Sequence, residues 1–324
     1  MNRRRLLLFP VALVLALGTC VRSPEPAKVL DAPVVVRPME GLPPTVGPFR
    51  VTGAWTLQSR NSHFGGYSAL VARRGGTMLA ASDRGAGMTF RIGRDGPEDL
   101  RLFPLADPHY DPDKYSLDIE SMTADPAGGQ VWLAFEAINM IERREPGLDG
   151  PVRVRPQAMA DWGGNSGPEA MIRLADGRFI VVREGRQGWF SATHPALLWN
   201  GDPVRGGKPA AFGLQLADRF RPTDMTLLPD GRVLLLARRL VLDWPVFEAA
   251  LLVADPQEIR AGKAWQAREL ARFAAPFPTD NFEGLAVDPG RRYPVTISLI
   301  SDDNGAELQR TLLLRLQWDG RIPR

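Results

Sequence analysis

The side chains in this sequence that could do chemistry begin with two glutamates, Glu169 and Glu184, at the two ends of one apolar segment. Asp176-Gly177 lies midway between them, and an Asp-Gly pair between apolar runs is typical of a two-residue β-hairpin turn. Counting outward from that turn predicts that Glu169 and Glu184 face each other across the hairpin. Facing like charges destabilise a sheet unless something compensates them.

The same arrangement recurs along the chain at intervals of about fifty residues. In four of the five repeats a short phrase leads to a glycine turn and then to an apolar strand that ends near a polar residue, and in the fifth the turn is longer. Counting from each turn predicts four more facing pairs, which are Ser68 with Asp83, Glu120 with Glu136, Thr223 with Arg238, and Glu283 with Asp302.

Three kinds of chemistry explain such pairs. Oxygen-rich clusters with few histidines suit a hard cation, Ca²⁺ before Mg²⁺, and the three histidines show no zinc spacing. Alternatively, a carboxyl pair shares a proton for general acid–base work or pairs with nearby arginines. The third explanation is that hairpin ends are polar because they face water. Repetition of facing glutamates in two hairpins favours the first two explanations over the third.

Repeats of this length predict blades of four short strands. The last repeat is one strand short, because only Gln309 to Trp318 follows its hairpin, while Phe49 to Leu57 is left over at the start. We therefore predict an all-β fold, a five-bladed β-propeller closed by the N-terminal strand. Six blades with one degenerate and a β-sandwich are the alternatives. In a ring, the five polar pairs would converge on one end of the central channel.

The N-terminus has the pattern of an export signal. Arg3 to Arg5 are followed by the apolar run Leu6 to Leu17 and by Leu17-Gly18-Thr19-Cys20, which resembles a bacterial lipobox. We predict a signal peptide over 1–20, lipidation at Cys20 and location on the periplasmic side of a bacterial membrane, with secretion to the periplasm as the alternative. The proline-rich stretch 21–48 is predicted to be a tether, and 49–324 the propeller domain.

Composition limits the partners. The net charge of +3 includes the three signal arginines, so the remaining chain is balanced and nothing indicates nucleic acid. Cys20 is the sole cysteine, which leaves no disulfide and no cysteine nucleophile. Ser68 lies in Gly66-Tyr67-Ser68-Ala69-Leu70, which lacks the final glycine of a nucleophile elbow, so serine hydrolysis is a weak third hypothesis. The acidic loop from Asp107 to Asp118 is a weaker calcium candidate.

The recurring phrases resemble a known family. They read F-G-G-Y-S-A-L, D-I-E-S-M, N-S-G-P-E-A-M, P-T-D-M with L-P-D-G-R-V-L-L-L-A-R-R, and N-F-E-G-L-A-V with L-I-S-D-D-N, and they extend from about Gly65 to Asn304. In this order they resemble the bacterial phytase-like family, or esterase-like activity of phytase. That resemblance implies an exported β-propeller that acts on phosphate esters, with Ca²⁺ as its cofactor.

Combined with the resemblance, the polar pairs give a specific hypothesis. Calcium would be held at the channel mouth by Glu120, Glu169, Glu283 and Asp302. Glu169 and Glu184 would be catalytic, and phosphoester oxygens would be bound by Arg84, Arg183 and Arg238. The alternative is a non-catalytic lipoprotein, a monomer that uses the same face to bind a ligand or partner of the cell envelope.

Overall fold

The computed structural model describes residues 28–106, 118–188, 191–217, 219–241, 247–288, 290, 292–306 and 309–322. Within these ranges the chain is all-β, and its five sheets are the blades of a β-propeller, which confirms the predicted fold. The predicted signal peptide with Cys20, and most of the acidic loop that begins at Asp107, lie outside the described residues. No described helix is both long and apolar enough to span a membrane.

Strands are numbered along the chain, and the blades follow the repeats. Three strands precede the first repeat: β1 (Val35–Pro38), β2 (Thr45–Val46) and β3 (Phe49–Gln58). Blade 1 contains β4 (Tyr67–Ala72), β5 (Thr77–Ser82), β6 (Ala86–Ile92) and β7 (Pro97–Pro104). Blade 2 contains β8 (Ile119–Ala124), β9 (Val131–Phe135), β10 (Met140–Arg144) and β11 (Val152–Val154).

The later blades follow the same plan with additions at their outer edges. Blade 3 contains β12 (Pro168–Arg173), β13 (Phe179–Arg183), β14 (Thr193–Trp199), β15 (Ala210–Gln215) and, parallel to β15, β19 (Ala264–Gln266). Blade 4 contains β16 (Arg221–Leu227), β17 (Val233–Leu240), β18 (Phe247–Ala254) and β20 (Arg268–Phe273). Blade 5 contains β21 (Asn281–Val287), β22 (Val295–Asp302) and β23 (Thr311–Trp318).

The ring is closed by the N-terminal strand, as the sequence predicts. Strand β23 pairs with β22 on one side and with β3 on the other, where Thr311 lies opposite Leu57. Pairing the two ends of the domain in one sheet fills the last blade and ties it to the start of the ring. The extra strand at the start of the domain therefore supplies the strand that the last blade lacks.

The described part of the predicted tether packs on blade 5. Strand β1 pairs with β3, with Val35 opposite Gln58, and Asn61 Nδ2 donates a hydrogen bond of 2.7 Å to the carbonyl of Leu30. Val36 packs against the apolar cluster between blades. Because β1 is an edge strand, its one proline is tolerated. The propeller thus includes a strand ahead of the predicted boundary at residue 49.

Apolar side chains between neighbouring blades stabilise the ring. The second strand of each blade is covered on both faces, and Phe179 to Val182 in β13 are all buried. Phe49 and Trp318, whose ring centroids are 5.4 Å apart, close the core where the chain ends meet. Each such side chain contributes roughly 1.5–3 kcal/mol on burial, so the ring is stable without disulfides.

Candidate functional site

The first strand of every blade has the same irregularity where it begins. In blade 3, Pro168 pairs with Arg183 but Ala170 pairs with Val182, so Glu169 is an extra residue in a β-bulge. The same shift occurs in the other four blades, at Ser68, Glu120, Thr223 and Glu283.

The bulges correct the predicted facing pairs. Glu169 does not lie opposite Glu184, because two one-residue shifts separate them. Next to the turn Ile172 already lies opposite Ile180, one residue from the predicted register, and the bulge adds a second residue, so Glu184 follows the end of β13. Such a bulge turns the backbone and redirects its side chain, and bulges are frequent next to functional sites. Counting from the turns located the right residues, but they meet through the bulge and the strand end rather than as cross-strand partners.

Glycines make room for this geometry. Gly66 has a φ of +67°, and a Cβ at this position would collide with the carboxyl group of Asp83. Gly167 donates its backbone N–H to Glu136 Oε1 at 2.9 Å, so the loop before blade 3 holds a carboxyl group of blade 2. A substitution at Gly66 would therefore displace an acidic side chain as well as strain the loop.

These side chains line one cavity of about 220 Å³ at the end of the channel. We call it the acidic cavity, and its lining residues are Asp83, Glu120, Glu136, Asn165, Glu169, Glu184, Arg238, Glu283, Asp302 and Asn304. Seven of the ten are carboxylates and one is an arginine. The predicted residues Glu120, Glu169, Glu184, Arg238, Glu283 and Asp302 are thus brought together.

The carboxyl groups form two overlapping triads within the described residues. In each triad, ligand oxygens lie within 4.8 Å of one another, and the two sets are Asp118, Glu120, Glu136 and Glu136, Glu169, Glu184. Glu136 belongs to both. Of the four predicted ligands, Glu120 and Glu169 fall in the triads, whereas Glu283 and Asp302 line the cavity beside them.

Crowding and burial make these carboxyl groups hold protons. Burial raises the pKa of Glu169 well above its ordinary value, and the charges of Glu184 and Glu136 raise it further. Burial, with the charges of Glu169 and Glu283, does the same for Glu120. Burial raises the pKa of Glu136 to about 7 against the hydrogen bond from Gly167, so this carboxyl group is partly protonated at neutral pH when no cation is bound.

Asp302 and Glu283 form the blade 5 wall of the cavity. Burial, and then the charge of Glu283, raise the pKa of Asp302 to about 8. Asn281 Nδ2 donates to Glu283 Oε1 at 2.8 Å and to Asp302 Oδ2 at 3.4 Å, which bridges the two carboxyl groups.

Arg238 is the cation inside the acidic cavity. Its Nε lies 3.0 Å from Glu283 Oε1 and its Nη2 lies 3.7 Å from Glu184 Oε1. Burial opposes the charge of Arg238, but Glu283, Glu169 and Glu184 outweigh it and raise the pKa of the guanidinium. This arginine neutralises part of the wall and leaves Glu136 and Glu169 facing other carboxyl groups.

Two of the predicted substrate-binding arginines lie elsewhere. Arg84 is half-exposed and pairs with Asp83 at 3.6 Å and Asp303 at 3.4 Å, beside a separate pocket of about 410 Å³. Arg183 directs Nε and Nη2 to Ser166, at 2.9 Å from its carbonyl and 2.8 Å from its hydroxyl. Both are engaged with loops of the rim, and only Arg238 of the three lines the cavity.

The serine and histidine candidates have structural partners. Ser68 is buried and its hydroxyl donates to the carbonyl of Ile119, which ties blade 1 to blade 2. Both ring nitrogens of the buried His194 contact backbone carbonyls, those of Glu184 at 2.7 Å and Phe220 at 3.2 Å. Neither side chain lines the acidic cavity, so serine hydrolysis has no geometric support there.

The structure adds four lining residues to those assigned from the sequence. Asp83 and Glu136 belong to predicted polar pairs but had no assigned role, and their position after the second strand was the available signal. Asn165 and Asn304 are exposed at the rim. Asn165 follows a Trp-Gly-Gly sequence, and Asn304 ends the Ser-Asp-Asp-Asn phrase.

The other end of the channel has a different lining. A cavity of about 820 Å³, which we call the apolar cavity, is bordered by inner strands of all five blades, including Leu70, Met122, Ile172, Met225 and Leu285. The repeats therefore build two unlike chambers on one axis.

Comparisons with known proteins agree with the repeat phrases. A family model described as Phytase-like, esterase-like activity of phytase, matches residues 62–305. The chain belongs to the Phytase-like family. The match includes the five bulges and every residue that lines the acidic cavity. No match was found among curated protein sequences.

Two solved structures are similar in fold to this Phytase-like chain. The crystal structure of Myxococcus xanthus glutaminyl cyclase is 12% identical with a TM-score of 0.46, and the match covers 83% of this chain and 96% of that one. A chain of the nidogen/laminin complex is 8% identical with a TM-score of 0.42, and the match covers 87% and 96%.

Proposed function

We propose that this protein is a calcium-dependent phosphoester hydrolase whose active site is the acidic cavity. The observation that carries the proposal is the convergence of seven carboxylates and one arginine on a cavity of about 220 Å³ at one end of the channel. Membership of the Phytase-like family supports phosphate esters as the substrate class.

The donor set fits calcium. Apart from Arg238, every side chain that lines the acidic cavity offers carboxylate or amide oxygens. Hard cations such as Ca²⁺ take six to eight oxygen ligands in flexible geometry. Glu136, Glu169 and Glu184 form the fully buried triad, and Glu169 is influenced more by carboxyl groups than by Arg238. These three residues are the proposed first ligands, with Glu120, Glu283 and Asp302 completing the oxygen-rich wall.

The calcium ion and the carboxyl groups would have different roles in the reaction. Calcium held by these carboxylates would supply positive charge for the phosphoester oxygens and would polarise a water molecule. Glu120, which lines the cavity beside the buried triad, would take up the proton of that water. The cavity is smaller than the roughly 300–1,000 Å³ of most ligand pockets. It therefore receives the phosphate group, and the rest of the ester stays outside.

A second candidate function is cation-dependent ligand binding without turnover. Arg238 is held between Glu184 and Glu283, and Arg84 and Arg183 lie outside the cavity. The lining thus offers a phosphate no arginine that is free of an ion pair, which favours binding through a cation alone.

One assay separates these functions. Hydrolysis of phosphate mono- and diesters is measured with Ca²⁺ and with a chelator for wild type, Glu169→Gln, Glu120→Gln and the exposed control Glu258→Gln. The hydrolase predicts calcium-dependent turnover that is lost in Glu169→Gln, reduced in Glu120→Gln and unchanged in Glu258→Gln. Calcium binding without turnover of any ester would favour the binding function.

Export, which the sequence predicts, belongs to the same proposal. We propose lipidation of Cys20, location on the periplasmic side of the membrane and a monomer. Incorporation of labelled fatty acid by wild type, absent in Cys20→Ala, is the expected result, and equal labelling of both would contradict it.

A further inference from the structure

Asp224 is a buried acid that lines neither cavity. It follows the bulge residue Thr223 in β16 and has no exposed surface. Along β16, Asp224 lies between the two cavities. The bulge residue Thr223 precedes it, and Met225, which follows it, lines the apolar cavity.

The carboxyl group joins three inner strands. Asp224 Oδ2 accepts hydrogen bonds from the backbone N–H groups of Leu285 at 2.7 Å and Leu70 at 3.4 Å, and Oδ1 accepts from Met225 at 2.8 Å. Strand β4 belongs to blade 1 and β16 to blade 4, which are not neighbours in the ring. The bond to Leu70 therefore crosses the channel.

No other blade has an acid at this place. The residues that follow the other bulges are Ala69, Ser121, Ala170 and Gly284. A Cβ on Gly284 would lie 2.9 Å from Leu70 Cβ, so β21 and β4 approach closely where Asp224 bridges them. The channel-side edges of inner strands have no strand partner, and their buried N–H groups need an acceptor.

We propose that Asp224 is a positioning residue that fixes β4 and β21 beneath the acidic cavity and closes the channel between the two cavities. Glu283 lies two residues before Leu285, and Ser68 lies two residues before Leu70, so both bulges are held by the same carboxyl group. Burial raises the pKa of Asp224 well above its ordinary value, and the three N–H groups oppose that rise. The effect on calcium rests on the proposed function, whereas the bridge itself does not.

The test replaces Asp224 with residues already used in this ring. Asp224→Ala and Asp224→Ser copy blades 1 and 2, which favours folding of both variants, and Asp224→Asn keeps one carbonyl acceptor. Leu197→Ala, in the buried core of blade 3, is the control for lost stability alone. Amide hydrogen exchange and calcium titration are measured on the full protein.

Exchange at Leu70 and Leu285 should be at least tenfold faster in Asp224→Ala and Asp224→Ser, with calcium affinity at least tenfold weaker. Asp224→Asn should stay within threefold of wild type in both measurements, and Leu197→Ala should lower Tm without weakening calcium binding. Unchanged exchange in Asp224→Ser, or equal loss of calcium affinity in Leu197→Ala, would overturn the proposal. If wild type binds no calcium, the proposed function fails, and the exchange rates alone decide the bridge.

Discussion

Residues from all five blades line both the acidic cavity and the apolar cavity, which differ in size and in the chemistry of their linings. The acidic cavity measures about 220 Å³ and is lined by seven carboxylates, whereas the apolar cavity measures about 820 Å³. Size alone would assign function to the larger one. The smaller one instead gathers the titratable groups with perturbed pKa values, which are the more specific mark of a site.

The difference arises over a few residues of each strand. In β8 the bulge residue Glu120 lines the acidic cavity, and Met122, two positions later, lines the apolar one. In β21 the same step leads from Glu283 to Leu285. Strands β8 and β21 therefore each contribute to both cavities, with the bulge residue at the acidic end and the residue two positions later at the apolar end.

The largest expected effect comes from removing Arg238, the positively charged side chain of the acidic cavity. Arg238→Met leaves Glu184 and Glu283 without this partner and should cost about 4 kcal/mol of metal-free unfolding free energy at pH 8. Urea denaturation with and without Ca²⁺ measures it, and calcium should restore part of the loss.

Arg84→Met is the matched control for that change. Arg84 is half-exposed and its ion pairs lie at the rim, so its loss should cost less than about 1 kcal/mol. Equal losses in the two variants would show that the charge balance of the acidic cavity does not govern stability.

A change at the opposite end should lower stability without altering calcium binding. Leu228 is buried and lines the apolar cavity, and Leu228→Ala should cost on the order of 3 kcal/mol through lost burial and a new void. The increase in Tm on adding calcium should match that of wild type. A diminished calcium shift would mean that the two ends are coupled.

The pH dependence should separate the two ends further. The folded-state pKa values of Glu136, about 7, and Asp302, about 8, lie above those of the unfolded chain, so the folded protein binds more protons between about pH 4 and 8. Metal-free stability should therefore fall as pH rises through that window and level off above it.

Calcium affinity should change with pH in the opposite direction. Ligand carboxyl groups must lose their protons before they bind a cation, so affinity should rise between pH 6 and 9 with release of protons. Denaturation curves and calorimetry in two buffers measure both trends. Metal-free stability that increases from pH 5 to pH 8 would contradict the raised pKa values.

The smallest expected effect concerns Arg183. Its two hydrogen bonds hold Ser166 at the rim, so Arg183→Ala should cost about 1 kcal/mol. The KM for any ester that is hydrolysed should change less than threefold. A tenfold rise in KM would restore Arg183 to the substrate-binding role predicted from the sequence.

The sequence predicts the ring more fully than it predicts the site. Repeat phrases, glycine turns and the surplus strand at Phe49 are local patterns, and they suffice for five blades and their closure. They also identify Glu120, Glu169 and Glu283 as convergent. The bulges cannot be counted from a turn, because one extra residue shifts the register and leaves the composition unchanged.

Side-chain direction is the other part that the sequence does not specify. Arg84, Arg183 and Arg238 occupy similar places near strand ends, yet only Arg238 enters the acidic cavity. The difference depends on partners from distant parts of the chain, such as Asp303 for Arg84. The structural role of Asp224 is equally invisible in the phrase P-T-D-M, since its partners Leu70 and Leu285 belong to other blades.

Calcium binding itself tests the central claim most directly. Isothermal titration of the purified, metal-free protein at pH 8 should show Ca²⁺ binding in wild type and in the surface control Glu258→Gln. In Glu169→Gln, which removes one charge from the buried triad, the affinity should be at least tenfold weaker. No binding by wild type, or the same affinity in Glu169→Gln, would contradict a calcium site in the acidic cavity.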